Sequence, residues 1–202
     1  MIAPHFDLLA RPRRIAIIGN AGGGKSMLAR RLGAALDLPV RVVDDVQWLP
    51  GWQRAPLERV AAAHADWLAA DGWVIDGWGG WDLIEARFRA ADAVAFVDLP
   101  LARHYWWALR RHAKAIAGRP DGWPPTGCEA WPITAHLVRL MWRVHRELRP
   151  RLLELSGRAE FRPRVAHIRS VGAMRVFERD VASAPAPAAS RTAPPPPIPK
   201  PR

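Results

Sequence analysis

A glycine-rich turn at residues 19–26, GNAGGGKS, constrains the fold of this chain more than any other feature. Its glycines, lysine and serine have the spacing G-x-x-x-x-G-K-S. The apolar run IAII precedes the turn at 15–18, and apolar residues at helical spacing follow it. A buried strand, this turn and a helix in succession form the context in which such a pattern binds phosphate. The sequence therefore predicts a nucleotide site at the start of the first helix.

The chemistry of a triphosphate explains why these residue types are needed. Glycines let the backbone curl so that several N–H groups converge on the anion, and the following helix adds its own unpaired N–H groups. We expect Lys25 to reach the β- and γ-phosphates of ATP and the Ser26 hydroxyl to ligate Mg²⁺. The predicted cofactor-binding residues are Gly19, Asn20, Ala21, Gly22, Gly23, Gly24, Lys25, Ser26 and Met27.

The alternative is a glycine-rich turn that binds nothing. Average residue frequencies produce four such fixed positions by chance about one time in a hundred in a chain of this length. The chain contains three lysines against 27 arginines, so compositional bias does not explain a lysine at position 25. Arginine is too large and too planar to replace lysine here. These observations favour the phosphate-binding interpretation.

Length and charge restrict the class of protein. A chain of 202 residues can form one domain with a full core. Its net charge of +11 is compatible with nucleic acid, a membrane surface or anionic substrates, but we favour charges spread over solvated faces because no dense basic run occurs. No apolar run is long enough to span a membrane, and the N-terminus lacks a secretion signal. We expect a cytoplasmic protein without a membrane partner.

Cysteine and histidine usage argues against thiol and metal-cluster chemistry. Cys128 is the only cysteine, which excludes an intrachain disulfide and a thiolate cluster. The seven histidines are scattered, and none pair at metal-ligand spacing on one helix face. No histidine lies near Cys128 in the sequence to activate it as a nucleophile.

Short apolar runs alternate with helical patterns along residues 13–182, which we take as the main domain. Strands are predicted at 15–18, 40–43, 73–77, 93–98 and 165–168. Because helical segments separate these strands, the sheet is expected to be parallel and covered on both faces. The predicted fold class is α/β: a three-layer P-loop NTPase fold with a five-stranded parallel sheet and a helical lid insertion.

The remaining segments have their own patterns. Residues 1–12 are expected to be an N-terminal extension, and the Pro/Ala-rich residues 183–202 a disordered tail. The lid insertion spans about 103–130, and its part 118–130 breaks every periodicity, which predicts a mobile loop. Apolar residues between 133 and 155 form one stripe, which predicts a helix bent at Pro150.

Two carboxylates lie at the ends of predicted strands and could hold the water shell of a magnesium ion. Asp76 and Asp98 both end an apolar run, and the carboxyl ends of parallel strands face the ligand crevice. We favour Asp76, because Gly77 leaves room for backbone close to the phosphates. The alternative for either residue is a carboxylate that caps the next helix.

At these residues the chain resembles the P-loop kinases of the adenylate kinase and shikimate kinase group. More closely it is similar to the DNA topology modulation proteins, often labelled adenylate kinase-like. The matching segments are IIGNAGGGKS at 17–26, DDVQWLPGW at 44–52, WVIDG at 73–77, VDLP at 97–100, and RPD with GCE between 119 and 129.

The resemblance implies an ATP-dependent phosphotransferase with a flexible lid over the donor phosphates. It places Asp44 at the acceptor side, where a carboxylate would orient or deprotonate an attacking hydroxyl. Arg103, Arg110, Arg111 and Arg119 resemble lid arginines able to spread over the transferring charge. We take Lys25, Asp44, Arg110 and Arg119 as candidate catalytic residues, and Ser26 and Asp76 as candidate metal ligands. Arg110 and Arg111 could instead form an exposed helix face.

Two other functions remain open at this stage. One is an ATP-binding regulatory protein that contacts DNA or a protein partner and has little or no kinase activity. The other is a slow ATP hydrolase. We favour transfer to a small-molecule acceptor, with nucleic acid as the less favoured partner.

Tryptophan is the most unusual component of the composition, with 11 residues. Trp48, Trp52, Trp78 and Trp81 fall in segments expected around the acceptor pocket. They could stack on a planar acceptor, or they could simply be core residues.

Overall fold

The computed structural model describes residues 10–118, 123–129 and 134–186. Within these ranges the strands are β1 Arg14–Gly19, β2 Val40–Val42, β3 Trp48–Leu49, β4 Gln53–Arg54, β5 Trp73–Asp76, β6 Ala93–Val97 and β7 Val165–Ile168. The α-helices are α1 Lys25–Leu36, α2 Val43–Gln47, α3 Leu57–Ala69, α4 Trp81–Ala90, α5 Leu101–Ile116, α6 Thr134–Arg143, α7 Arg149–Gly157 and α8 Val171–Ser183.

The predicted parallel sheet is confirmed. Its strand order is β2-β5-β1-β6-β7, and every neighbouring pair is parallel. The central strand β1 is buried along five of its six residues, as its apolar sequence requires. Since β1 leads into the glycine-rich turn, the turn lies at the middle of the carboxyl edge of the sheet, where ligands bind in open α/β sheets.

Alternate side chains of β1 enter two separate cores, one on each face of the sheet. Ile15 and Ile17 pack with apolar residues of α1 and α8, including Leu32 and Phe177. On the opposite face, Ala16, Ile18 and their neighbours pack with apolar residues of α3, α4 and α7. This period of two is what a strand covered on both faces produces. The structure is therefore a three-layer α/β fold.

Two local details differ from the sequence prediction. Strands β2, β5 and β6 each end one residue earlier than predicted, at Val42, Asp76 and Val97. After β2 the following residues form the short helix α2. The predicted single helix over 133–155 is interrupted by a π-helical segment, Val144–Leu148, directly before Pro150. The backbone N–H of Arg149 bonds to the carbonyl of Val144, five residues back, next to the proline that cannot donate.

The first and last parts of the described chain contact each other. The side chain of Arg11 donates to the carbonyl of Ala184 at 3.1 Å, and its backbone N–H donates to Pro185 at 2.7 Å. Ser183, where the disordered tail was predicted to begin, is the last residue of α8. Most of that tail, residues 187–202, lies outside the described residues, as do residues 1–9 of the predicted extension. Among the described helices, none has the length and apolarity needed to cross a membrane.

Candidate active site

The glycine-rich turn connects β1 to α1, and its groups are arranged to receive an anion. The Lys25 ammonium is half-buried and donates a hydrogen bond from Nζ to the carbonyl of Asn20 at 2.8 Å. Helix α1 begins without a side-chain cap or an acidic residue in its first turn. Its first N–H groups are therefore available to a phosphate. Ser26 lies half-buried in this first turn, and Met27 beside it is 42% exposed.

Helix α5 packs directly on the turn, which explains part of its glycine content. Gly22 has a φ of +66°, and a Cβ there would lie 2.2 Å from the carbonyl oxygen of His104. The buried His104 ring donates from Nδ1 to the carbonyl of Ala21 at 2.9 Å. The glycines are therefore needed for the approach of α5 as well as for the predicted phosphate cradle.

Asn20 braces the turn from a second helix. Its side-chain amide donates to the carbonyl of Met141 in α6 at 2.8 Å, and its Oδ1 accepts from the N–H of Ala21 at 2.8 Å. The side chain predicted to bind nucleotide is thus engaged in holding the turn, which leaves its backbone as the part that can face a ligand.

Four charged side chains from different elements interact around the turn. They are Lys25 of α1, Asp44 of α2, Asp76 of β5 and Arg111 of α5. Burial lowers the pKa of Lys25, while the two carboxylates act in the opposite direction. Burial also raises the pKa of Asp44, and the charge of Lys25 partly offsets that rise. The structure therefore brings together the loop lysine and both favoured carboxylates.

Asp76 is a buried carboxylate whose hydrogen bonding is incomplete within the described part of the chain. It is 2% exposed, and within the described part of the chain its Oδ1 has no hydrogen-bond partner. An unpaired buried carboxylate oxygen is costly unless another group completes it. Gly77 contributes differently from the prediction: its φ is +124°, and a Cβ there would lie 2.8 Å from Cβ of Val43. The glycine makes room for Val43.

Asp98, the second candidate, is fully engaged within the protein. Arg149 donates to its two oxygens from Nε and Nη2 at 2.6 and 2.9 Å, and His167 contacts Oδ2 from Nε2 at 2.7 Å. Burial alone would raise the pKa of Asp98, but the hydrogen bonds of His167 and Arg149 outweigh it and lower the pKa to about 2. Asp98 therefore joins β6 to β7 and α7, and both of its oxygens already accept hydrogen bonds within the protein.

Arg87 is a functional candidate that the sequence analysis missed. It is 1% exposed, and it donates to the carbonyls of Gly77 and Leu83 at 2.8 and 3.2 Å and also to that of Trp78. Burial lowers its pKa to about 10, against the opposing charge of Asp76. Arg87 thus holds the segment that follows Asp76. The sequence did contain a sign of this role. Arg87 lies between Ile84 and Phe88, at a position where the amphipathic pattern of the helix calls for an apolar residue.

The lid arginines separate into different environments. Arg111 is half-buried and faces the carboxylates, and its guanidinium carbon lies 4.4 Å from the ring centroid of Trp123. Arg110, one residue earlier, is exposed, and Asp44 and Asp76 interact with Arg111 rather than with it. This geometry favours Arg111 over the predicted Arg110. Arg119 lies outside the described residues.

Part of the predicted mobile loop is bonded to the β3–β4 hairpin. The N–H of Gly51 donates to Gly127 at 2.9 Å, and the Trp52 indole donates to Glu129 at 2.8 Å. The Cys128 thiol donates to Leu49 at 3.4 Å. We call residues 123–129 the strap, since they tie the hairpin to α5 through Trp123. Residues 119–122 and 130 of the same predicted loop are outside the described ranges.

The four tryptophans expected near the acceptor divide into two pairs. Trp78 and Trp81 pack against the core on the α4 face of the sheet. Trp48 and Trp52 lie edge to face, with ring centroids 5.6 Å apart, and Trp52 approaches Trp123 at 6.0 Å. The core interpretation therefore fits the first pair, whereas the second pair joins the strap beside Arg111.

The buried residue His64, which interacts with Arg87, makes the free energy of unfolding depend on pH. It is fully buried, its Nδ1 donates to Val60 at 2.9 Å, and burial together with the charge of Arg87 lowers its pKa to about 4. The unfolded chain takes up this proton near pH 6.5, whereas the folded chain stays neutral until about pH 4. Stability is therefore lost as pH falls through that window, by up to about 3 kcal/mol from this residue.

We expect His64→Leu to flatten the dependence of the unfolding free energy on pH between 6.5 and 4, because the buried group can no longer titrate. Urea unfolding at several pH values measures this slope. His136→Leu, at an exposed position of α6, is the control and should keep the wild-type slope. An unchanged slope in His64→Leu would show that this residue does not cause the pH dependence of stability.

Comparison with known proteins identifies similar folds. No family model matches the sequence, and no curated protein matches it. A shikimate kinase from Acinetobacter baumannii in complex with shikimate has a TM-score of 0.49 at 14% identity, over 83% of this chain and 89% of that chain. A gluconokinase from Sinorhizobium meliloti 1021 has a TM-score of 0.39 at 16% identity, over 72% and 98%. An uncharacterized protein from Eubacterium ventriosum has a TM-score of 0.45 at 11% identity, over 84% and 98%. At such identities the likeness concerns the fold alone.

Proposed function

We propose that this chain is an ATP-dependent phosphotransferase that acts on a hydroxyl group of a small acceptor. One observation carries the proposal: Lys25, Asp44, Asp76 and Arg111 interact at the carboxyl edge of the sheet, beside a helix start with available N–H groups. Phosphoryl transfer needs little covalent help from a protein and depends on position and charge. This set of groups supplies both.

Each of the four side chains has a role that its environment supports. Lys25 would exchange its bond to the Asn20 carbonyl for the β- and γ-phosphate oxygens. Arg111, held between Trp123 and the two carboxylates, would stabilise the charge that develops on the transferring group. Asp44 would accept the proton of the attacking hydroxyl, and its raised pKa makes it a stronger base for that purpose.

The residues present also fit a magnesium ion. Among the described residues, no three carboxylate, histidine or cysteine side chains cluster tightly enough to hold a metal by themselves. Magnesium usually binds one or two carboxylates and completes its shell with water and substrate phosphates. Asp76, with its unpaired buried oxygen, and the Ser26 hydroxyl would hold the ion, which would neutralise phosphate charge when bound.

The family resemblance belongs to the same proposal. The segments shared with the adenylate kinase-like DNA topology modulation proteins include Asp44 and Asp76, both of which interact with Lys25. The proposal does not specify the chemical class of the acceptor, so the experiment compares several classes.

We expect ADP release from Mg-ATP to rise with one acceptor class in a panel of sugars, nucleosides, nucleoside monophosphates and hydroxy acids. Asp44→Asn should lower the acceptor-dependent rate by about a hundredfold or more, since the proton acceptor is lost. The matched control is Asp45→Asn, which changes the neighbouring exposed carboxylate. ADP release that no acceptor alters, with equal rates in both variants, would overturn the proposal and favour a hydrolytic or regulatory role.

A further inference from the structure

The outer surface of the lid helices carries apolar side chains that the phosphotransferase site does not use. Large apolar side chains on α5 and α6 are exposed: Trp106 60%, Leu109 50%, Ile116 60%, Val138 40% and Trp142 53%. We call these five residues the apolar strip. Residues three and four apart are neighbours on a helix surface, so the three strip residues of α5 share one side of that helix.

The strip continues from one helix to the other. Tyr105 lies one helical turn before the strip residue Leu109, and its hydroxyl donates to the backbone carbonyl of Val138 in α6 at 3.3 Å. Val138 lies one turn from Trp142 on the same side of α6. The apolar sides of both helices therefore adjoin at this contact. A different side of α5, with His104, Ala108 and His112, is buried.

Basic side chains flank the strip, and acidic ones are absent from both helices. Neither Leu101–Ile116 nor Thr134–Arg143 contains an aspartate or glutamate. Arginine and lysine side chains accompany the strip at positions 103, 110, 114, 139, 143 and 146. Of these, Arg143 pairs with Glu147 in the next turn at 2.8 Å, Arg103 lies over Trp107, and Arg146 lies over the strip residue Trp142. The surface is thus apolar at its centre and cationic at its borders.

We propose that the apolar strip binds the surface of a membrane that contains anionic lipids. Helices with tryptophan and leucine on one side and arginine or lysine beside them lie in the headgroup region, where the apolar groups enter the acyl boundary and the cations meet phosphate. The net charge of +11 attracts the whole chain to such a surface. A membrane span needs a long apolar run, which this chain lacks, but surface binding needs only an exposed side of a helix.

The features of the strip disfavour other partners. A second copy of the chain would place arginine rows against arginine rows, which repel. A single-stranded nucleic acid would use the cations and the tryptophans, but it offers no partner to Leu109, Ile116 and Val138. Their exposure is explained by an acyl boundary.

Sedimentation with lipid vesicles tests the proposal on the full chain. We expect the protein to sediment with vesicles of equal parts phosphatidylglycerol and phosphatidylcholine, and to stay in solution with phosphatidylcholine alone. Binding should weaken as salt rises, since the cations contribute. A double variant, Trp106→Ser with Trp142→Ser, should bind at least about tenfold more weakly, because two interfacial anchors are lost.

The matched control is Leu57→Ser, which removes an apolar side chain that is 80% exposed on α3, away from the strip. It should sediment like the unchanged protein. Circular dichroism and nucleotide binding report whether the double variant is folded. No sedimentation with anionic vesicles, an equal loss in Leu57→Ser, or strip-dependent binding to single-stranded DNA without vesicle binding would each overturn the proposal. Strip-dependent dimers in light scattering, without vesicle binding, would assign the strip to self-association instead.

Discussion

Lys25→Met is expected to reduce ATP-dependent turnover by about a thousandfold or more and to weaken ATP binding, because it removes the only cation that the turn itself supplies to the phosphates. Lys25 interacts with both Asp44 and Asp76, whose charges oppose the lowering of its pKa by burial. The variant therefore also leaves two interacting carboxylates without the positive charge that offsets their negative charges. The negative charge of these carboxylates should further disfavour an anionic ligand.

Lys25→Arg makes this prediction sharper. It keeps the charge but introduces a planar group that is too large for the turn, so we expect it to restore little activity. Lys200→Met, which removes the same type of side chain far along the chain, is the control for loss of a lysine. Turnover is measured as ADP release in a discontinuous assay, and ATP affinity is measured by isothermal titration calorimetry. The two effects are thereby separated. Retention of acceptor-dependent turnover in Lys25→Met would contradict the role of the turn.

Arg111→Met is expected to lower the rate of transfer by about a thousandfold, the lower end of the effect of an arginine that stabilises a transferring phosphoryl group. ATP affinity should change much less, because this arginine acts on charge that develops during transfer. Arg111 also interacts with Asp44 and Asp76 and lies over the ring of Trp123. Loss of Arg111 therefore removes the positive charge that faces these two carboxylates.

Arg110→Met distinguishes the structural assignment from the sequence-based one. Arg110 is exposed, so its replacement should leave the rate within a fewfold of the unchanged protein, while Arg158→Met controls for loss of an exposed arginine elsewhere. Rapid-quench measurement of one turnover separates transfer from product release. A large loss in Arg110→Met with normal transfer in Arg111→Met would reverse the assignment. Trp123→Leu is a further test. It removes the ring that positions Arg111, so it should slow transfer without abolishing it.

Much of the fold follows from patterns within short stretches of sequence. Apolar runs separated by helical segments predict the parallel sheet, because hydrogen bonding and burial leave few other arrangements for such runs. The glycine spacing predicts the turn between β1 and α1. The interruption of the helix before Pro150 was predicted at the right place, although as a bend at the proline instead of the π-helical segment.

The site was partly predictable for the same reason. Residues at the end of a parallel strand or just beyond it must lie at the carboxyl edge of the sheet, which places Asp76 and Asp44 near Lys25. The choice between Asp76 and Asp98 depended on partners that the local sequence does not contain. Arg149 and His167 are 51 and 69 residues away from Asp98 along the chain, and they occupy its oxygens.

The sequence by itself determined the alternation of strands and helices, the phosphate-binding turn and the end of the sheet at which charges collect, since each depends on neighbours along the chain. Only the tertiary structure decided which arginine faces the carboxylates. Arg110 and Arg111 are adjacent in sequence, yet successive helix positions point about 100° apart, and the packing of α5 on the turn directs Arg111 inward and leaves Arg110 exposed. The same packing buries one side of α5 and exposes the apolar strip on another. That outcome depends on contacts between distant segments, which no local pattern contains.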